Sequence, residues 1–275
     1  MILREKTITL QGGLRVGYAE GGMGVPLVFL HGLSVSYGAY TEMLELLADH
    51  FRVIAIDLPD HGRTDALLWG HTIRDMARVV DAVLIDLCVG DSIVVGHSMG
   101  GAVAAEWAAK YSNYALGLVL LDAAVGETHH RSIKMGSPLE TAVSGARFLA
   151  GAVLDVAGDA RRAGRFRTLT ERLNLVGRLG KSVSGPGIVK AISALMRYDS
   201  EEALRELRGS SIPTTVIHGV EDRIIPVAAA EDAYFLLGGK LITLGGRYHS
   251  WMISEPKLAA ELIGGAVRAA QAEAA

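Results

Sequence analysis

Short, largely apolar runs recur along the chain: Pro26 to Leu30, Phe51 to Ile56, Ile93 to Val95, Leu118 to Leu121 and Thr214 to Gly219. Runs without polar alternation predict strands buried on both faces. Between them the apolar positions fall at helical spacing. Met76, Val79, Val80, Val83 and Leu84 share one face of a helix predicted over Thr72 to Leu87. Shorter helices are predicted from Tyr40 to Asp49, after Met99 as far as Lys110, and from Ala228 to Leu237. Near the start, Thr7 to Leu10 and Leu14 to Ala19 flank Gly12-Gly13 with roughly alternating polarity, which predicts a hairpin at a sheet edge. Lys240 to Leu244 is the last predicted strand, and a C-terminal helix starts near Glu255-Pro256, where a helix tolerates proline. Strands that alternate with helices must pair in parallel with helices on both faces. The expected fold is a doubly wound, mostly parallel α/β sheet of about eight strands.

From about Gly126 to Gly209 the alternation stops. Phe148 to Leu154, Leu173 to Leu179, and Ile188, Ile192, Leu195 and Met196 read as parts of four short helices with no strand. Helices with an apolar face and no sheet of their own must rest on another surface, and the rim above the strand ends is the nearest one. Residues 126–209 are therefore expected to form a helical lid inserted after the sixth strand, between core segments 1–125 and 210–275. Its apolar faces, with Phe148, Leu149, Ile192 and Met196, predict a small hydrophobic substrate.

With 275 residues, half of them apolar, the chain can bury one large core, and its formal net charge of -3 leaves no basic face for nucleic acid or an anionic membrane. A small molecule is the default ligand. No apolar stretch is long enough to span a bilayer and the charged start does not resemble a signal peptide, so a soluble cytoplasmic protein is expected. The single cysteine, Cys88, excludes an intramolecular disulfide and a cysteine-based zinc cluster, and it is expected to be buried in the helix before Ser92. The histidines show no ligand spacing with carboxylates, so neither metal nor cofactor is expected. Monomer and homodimer remain equally open.

The most informative stretch is Gly96-His97-Ser98-Met99-Gly100, which matches Gly-x-Ser-x-Gly between a strand and a helix. Glycines on both sides of such a turn remove side chains that would clash. The turn lifts the serine hydroxyl clear of the sheet and aims the first free N–H groups of the helix at the same point. Serine is a poor nucleophile at neutral pH and needs a base whose pKa lies near the working pH, which selects histidine. A carboxylate is then needed to hold the imidazole tautomer and to stabilise the imidazolium as it forms.

Five ordered motifs carry a resemblance: His31-Gly32, Asp57 through Gly62 to Thr64, Gly96 to Gly100, Gly219 through Asp222 to Pro226, and the loop bearing His249. With them the chain resembles the α/β-hydrolase superfamily, in its lidded serine-esterase-like branch, over nearly all of its length outside the lid. The resemblance implies Ser98 as nucleophile, Asp222 as acid and His249 as base, in the family order. It also implies oxyanion donors at the backbone amides of Leu33 and Met99. Glu221 lies one residue off the family spacing, and Asp122 is the rival acid, because some members carry theirs after the strand that follows the nucleophile. His31 is expected to brace its loop at the edge of the pocket and His97 to pack beside the turn; His129 and His130 open the lid without an assigned role. Two positions depart from the pattern. Asp60 stands where glycine is usual, and Tyr248 replaces the glycine before the histidine, either narrowing the pocket or covering the outer face of its loop. The implied reaction is hydrolysis of a carboxylic ester. The alternatives are a carbon–carbon bond hydrolase, disfavoured because Ser250 separates His249 from Trp251, a relative that releases hydroperoxide or transfers acyl groups to alcohols, and a ligand-sensing protein that keeps the same residues.

Overall fold

The computed structural model describes residues 1–68, 70–133 and 185–274. The apolar runs are strands of one sheet: β1 (Arg4–Thr9), β2 (Arg15–Gly21), β3 (Pro26–Leu30), β4 (Arg52–Ile56), β5 (Ser92–His97), β6 (Ala115–Leu121), β7 (Thr214–Gly219) and β8 (Lys240–Leu244). Their order is β1-β2-β4-β3-β5-β6-β7-β8. β1 and β2 form the expected antiparallel edge, β2 runs antiparallel to β4, and all other pairs are parallel.

Successive side chains of a strand point to opposite faces, and here both faces are covered. Val28, Leu30, Ile54, Ile56, Val94, Leu118 and Leu120 enter one core. It is closed by α2 (Ile73–Asp86), α3 (Met99–Lys110), α6 (Glu201–Gly209) and α7 (Val227–Leu237). Leu27, Phe29, Val53, Ala55, Ile93, Val95, Val119 and Leu121 enter the other, under α1 (Thr41–Leu47), the short helix α8 (Trp251–Ser254) and α9 (Pro256–Ala274). This two-sided burial is why the central strands read as continuous apolar runs.

The segment after β6 leads into α4 (Glu127–Ile133), and α5 (Gly185–Arg197) precedes α6. Phe148 to Leu154 and Leu173 to Leu179 lie outside the described residues. α6 packs against α3 and α7, and α5 buries Ala191, Ala194 and Leu195. Among the described residues, no helix is long and apolar enough to cross a membrane.

Two expectations need correction. β1 begins at Arg4, ahead of the predicted Thr7, because its pairing with β2 runs from Arg4 against Glu20 along a largely exposed edge that leaves no apolar signal. Cys88 is exposed, not buried. α2 stops at Asp86, and Cys88 takes a left-handed φ of 51° just beyond it. The Cys88 amide donates to Ile85 O at 3.0 Å and the Val89 amide to Leu84 O at 2.8 Å. That paired closure of a helix end turns residue 88 outward, and apolar spacing alone does not reveal it.

Candidate active site

Ser98 sits between the last residue of β5 and the first of α3, at φ 54° and ψ -120°. A non-glycine residue in this region is strained by about 1–3 kcal/mol and persists only where its surroundings enforce it. Small neighbours do so here. A Cβ on Gly96 would lie 2.3 Å from Gly100 O, and one on Gly100 would lie 2.3 Å from Leu30 O. The amides of Gly101 and Ala124 both donate to Ser98 O, at 2.9 and 3.0 Å. The turn is thus tied to its own helix and to the segment leaving β6.

His249 and Asp222 reach this point from the ends of β8 and β7. The Ser98 hydroxyl lies 3.0 Å from His249 Nε2, and His249 Nδ1 lies 2.7 Å from Asp222 Oδ2. Gly219 permits the approach, since a Cβ there would stand 2.5 Å from Arg247 O in the loop that carries His249. The other Asp222 oxygen, Oδ1, accepts from the amides of Ile224 and Ile225 at 2.8 and 2.9 Å. Burial alone would raise this carboxyl, but the His249 ring, its hydrogen bond, His218 and the Ile225 amide together hold it below the usual carboxylate range. Ser98, Asp222 and His249 are all at least 93% buried, with exposures of 6%, 7% and 6%. An array of this kind can draw the proton from a hydroxyl into a ring whose tautomer a carboxylate fixes.

Asp122 does not reach the His249 ring by a hydrogen bond. Its Oδ1 accepts from the Gly219 amide at 2.8 Å and its Oδ2 from Trp251 Nε1 at 2.6 Å. Burial, then the Asp222 charge, pushes its carboxyl well above the ordinary range. Asp122, His218 and Asp222 form the one group among the described residues compact enough to hold a cation. All four carboxylate oxygens already accept hydrogen bonds, and His218 Nε2 donates to Ile225 O at 2.9 Å. A cation here would have to displace the bonds that fix Asp222.

Residues 27–262 match the alpha/beta hydrolase family. The chain belongs to that family. It is 44% identical over 262 residues to a Mycobacterium phage D29 protein provisionally named a non-heme haloperoxidase, a match covering 95% of this chain and 94% of that one. A bifunctional esterase/perhydrolase of Acinetobacter calcoaceticus is 27% identical over 90% of this chain and 94% of its own length. Among solved structures, the esterase RhEst1 from Rhodococcus sp. ECU1013 superposes with a TM-score of 0.77 at 26% identity, covering 98% of this chain and 99% of that one. The protein is a hydrolytic enzyme of the alpha/beta hydrolase family.

Around the array, this hydrolase builds a hydrogen-bonded frame; the sequence indicated the neighbourhood of His31 and His97 but not the bonds they make. His97 Nε2 donates to His249 O at 3.0 Å, which leaves Nδ1 to accept from the Tyr40 hydroxyl at 2.7 Å; the same hydroxyl accepts from the Gly32 amide at 3.4 Å. Burial, and next the neighbouring His249, push His97 down to about 3, so it stays neutral in this role. His31 Nδ1 donates to Gly32 O and its Nε2 accepts from the Leu58 amide, so both nitrogens brace loops. His61 similarly accepts from the Ser34 amide at 3.3 Å. Leu33 is held between these fixed neighbours. The Gly32 backbone passes so close to the serine that a Cβ on it would lie 3.1 Å from Ser98 Cβ. Met99 is the first residue of α3, where amides precede the helical ladder. The only clue to the Tyr40 link was that a tyrosine buried whole must find a partner for its hydroxyl.

The other pocket residues expected from the sequence lie as follows. Met196 lines a surface groove of about 460 Å³ with His130, Tyr198 and Phe235. Ile192 is half-buried on α5, and Phe148 lies outside the described residues. Tyr248 is half-buried with the Arg223 guanidinium carbon 4.8 Å from its ring centroid. Glu221 is exposed, and its amide donates to Arg247 O. Asp60 adopts φ 64°, as a residue in a glycine position must, and its carboxylate faces His71 at 3.0 Å and Lys190 of α5 at 3.8 Å.

Proposed function

We propose that this hydrolase cleaves a carboxylic ester of a small hydrophobic substrate through an acyl-enzyme. Ser98 attacks the carbonyl as His249 Nε2 takes its proton; Asp222 holds the Nδ1–H tautomer and stabilises the imidazolium. The alkoxide leaves with the proton returned by His249, and water attacks the acyl group by the same route in reverse. The amides of Leu33 and Met99 receive the oxyanion, a role in which one donor typically contributes about 3–4 kcal/mol. The insertion at 126–209 supplies substrate contacts. The observation that carries this reading is the continuous path from Ser98 through His249 to Asp222, at 3.0 and 2.7 Å, beginning at a strained serine. The kinship with an esterase structure and an esterase/perhydrolase supports the ester as the bond cleaved. Rapid fluorophosphonate labelling at Ser98 and steady turnover of p-nitrophenyl esters are expected, both abolished in Ser98→Ala. Turnover that survives that substitution would refute the proposal.

A second reading is favoured by the names of two relatives, a non-heme haloperoxidase and an esterase/perhydrolase. Hydrogen peroxide can replace water at the acyl-enzyme, giving a peroxyacid and free Ser98. Peroxyacid formation that depends on both ester and peroxide, and that is lost in Ser98→Ala, is its signature.

A further inference from the structure

His129, on the first turn of α4, is a buried side chain with an unmet requirement. It is 4% exposed, and neither ring nitrogen has a hydrogen-bond partner among the described residues. A buried polar group left unpaired is costly, and an apolar side chain would fill the same space without that loss. The ring cannot escape by moving its backbone. The segment from β6 is fastened where Ala124 donates to Ser98 O at 3.0 Å, where Gly126 donates to Ser200 Oγ at 3.0 Å, and where Thr128 donates to Asp232 Oδ2 at 2.7 Å. Ser132 Oγ then donates to the carbonyl of His129 itself at 2.7 Å. His129 is thus placed rigidly, a few residues along the chain from the strap on the nucleophile. His249, Asp222 and His218 are near enough to act on it electrostatically, and burial together with His130 and His249 keeps its ring neutral, pushed down to about 3.

A neutral imidazole offers one N–H donor and one bare nitrogen acceptor. A hydroxyl group, which donates and accepts, satisfies both capacities in turn. A carboxylate does not suit the place, because it would meet an uncharged ring and the nearby anionic Asp222. We propose that His129 is a specificity residue that hydrogen-bonds a neutral hydroxyl on the substrate, so that the esters this enzyme favours carry a hydroxyl besides the bond they lose. The proposal rests on the ester-hydrolase reading above and narrows its substrate class.

Its test measures binding without turnover. In a Ser98→Ala background, the affinities of methyl hexanoate, methyl 3-hydroxyhexanoate, methyl 6-hydroxyhexanoate and 2-hydroxyethyl hexanoate are compared by ligand-observed NMR titration. At least one hydroxylated ester is expected to bind about five- to tenfold tighter than methyl hexanoate, the usual range for one hydrogen bond. Adding His129→Phe should reduce that ratio to about one, and His129→Gln should restore part of it. His129→Phe should also raise Tm, since it removes two unpaired buried nitrogens; His129→Leu replaces it if the larger ring prevents folding. The proposal is overturned if no hydroxylated ester binds better than methyl hexanoate, or if the advantage survives His129→Phe. Failure of the ester-hydrolase reading would be seen separately, as no turnover of any of these esters by the unsubstituted enzyme.

Discussion

The sharpest test of the acid is Asp222→Asn, because the surroundings of this side chain dictate how an amide must sit. Oδ1 accepts from two backbone amides at 2.8 and 2.9 Å, while Oδ2 faces the His249 ring at 2.7 Å. Asparagine has one acceptor oxygen and one NH2. If its oxygen turns to His249, the NH2 meets two N–H donors, and two buried amides lose their partner at about 1–3 kcal/mol each. The opposite orientation leaves only one bond to remake, so the oxygen should stay on Ile224 and Ile225 and the NH2 should donate to His249 Nδ1. The ring proton is then forced onto Nε2, facing Ser98, and the base is lost. The same change of tautomer in a serine protease lowers kcat roughly ten-thousandfold, equivalent to about 5 kcal/mol of barrier.

The comparison that makes this decisive is Asp122→Asn. Its carboxyl accepts from Gly219 and Trp251 and makes no hydrogen bond to the His249 ring. Asparagine there forfeits one of two acceptors, so stability should fall by about 1–3 kcal/mol while kcat stays within about tenfold. Both variants are assayed for p-nitrophenyl ester hydrolysis, with rates normalised to the concentration of folded protein measured by circular dichroism. Retention of more than a tenth of kcat in Asp222→Asn, or a larger loss in Asp122→Asn, would refute the assignment of the acid and the tautomer argument behind it.

Two further outcomes follow from the frame around the site. Tyr40→Phe leaves the buried His97 Nδ1 without its donor, at a cost of about 1–3 kcal/mol, and at about 2–4 °C per kcal/mol calorimetry should show Tm falling by several degrees. An unchanged Tm would mean that the link is not formed. Burial pushes Asp57 up to about 6, with the amides of Arg63 and Tyr37 opposing the rise. A carboxyl raised in the folded state contributes stability that is complete below its unfolded value near 4 and is lost as pH climbs through 6. Urea unfolding from pH 4 to 7 should therefore show a decline worth about 3 kcal/mol in the native protein that is missing in Asp57→Asn. Parallel curves for the two would overturn it.

Legibility of the molecule from its sequence divides along a physical line. β3 begins and ends where its apolar run does, because burial on both faces writes a strand as an unbroken run. The positions of Ser98, Asp222 and His249 after β5, β7 and β8 follow from the same pattern together with the turn residues. What could not be read depends on partners distant along the chain. Tyr40 and His97 meet across 57 residues and His97 and His249 across 152, and no local spacing announces either bond. Cys88 was misplaced because the reversal that ends α2 is a backbone event, invisible to a count of apolar positions. His129 gave no sequence signal at all, since only a folded environment shows that its nitrogens lack partners.

The buried histidines also explain why the array can carry charge. In the proposed reaction, proton transfer from Ser98 creates an imidazolium at His249, and any other cation close by would oppose it. His97 has its ring centroid 4.8 Å from that of His249. A charge there would raise the imidazolium by about 3 kcal/mol at an effective dielectric of 20. Burial removes that opposition by holding His97 and His129 near 3 and by lowering His218. Burial pushes Asp122 above the usual carboxylate range, and its two oxygens are committed to the Gly219 amide and Trp251 Nε1, so it does not compete with Asp222 for the ring proton. Asp222 then meets His249 at the ring nitrogen where it would both select the tautomer and balance the developing cation. Neutrality of the surrounding frame is therefore a condition of the proposed chemistry as well as a consequence of folding, and the hydrogen bonds made by His97 and His218 also fix those two rings as neutral tautomers.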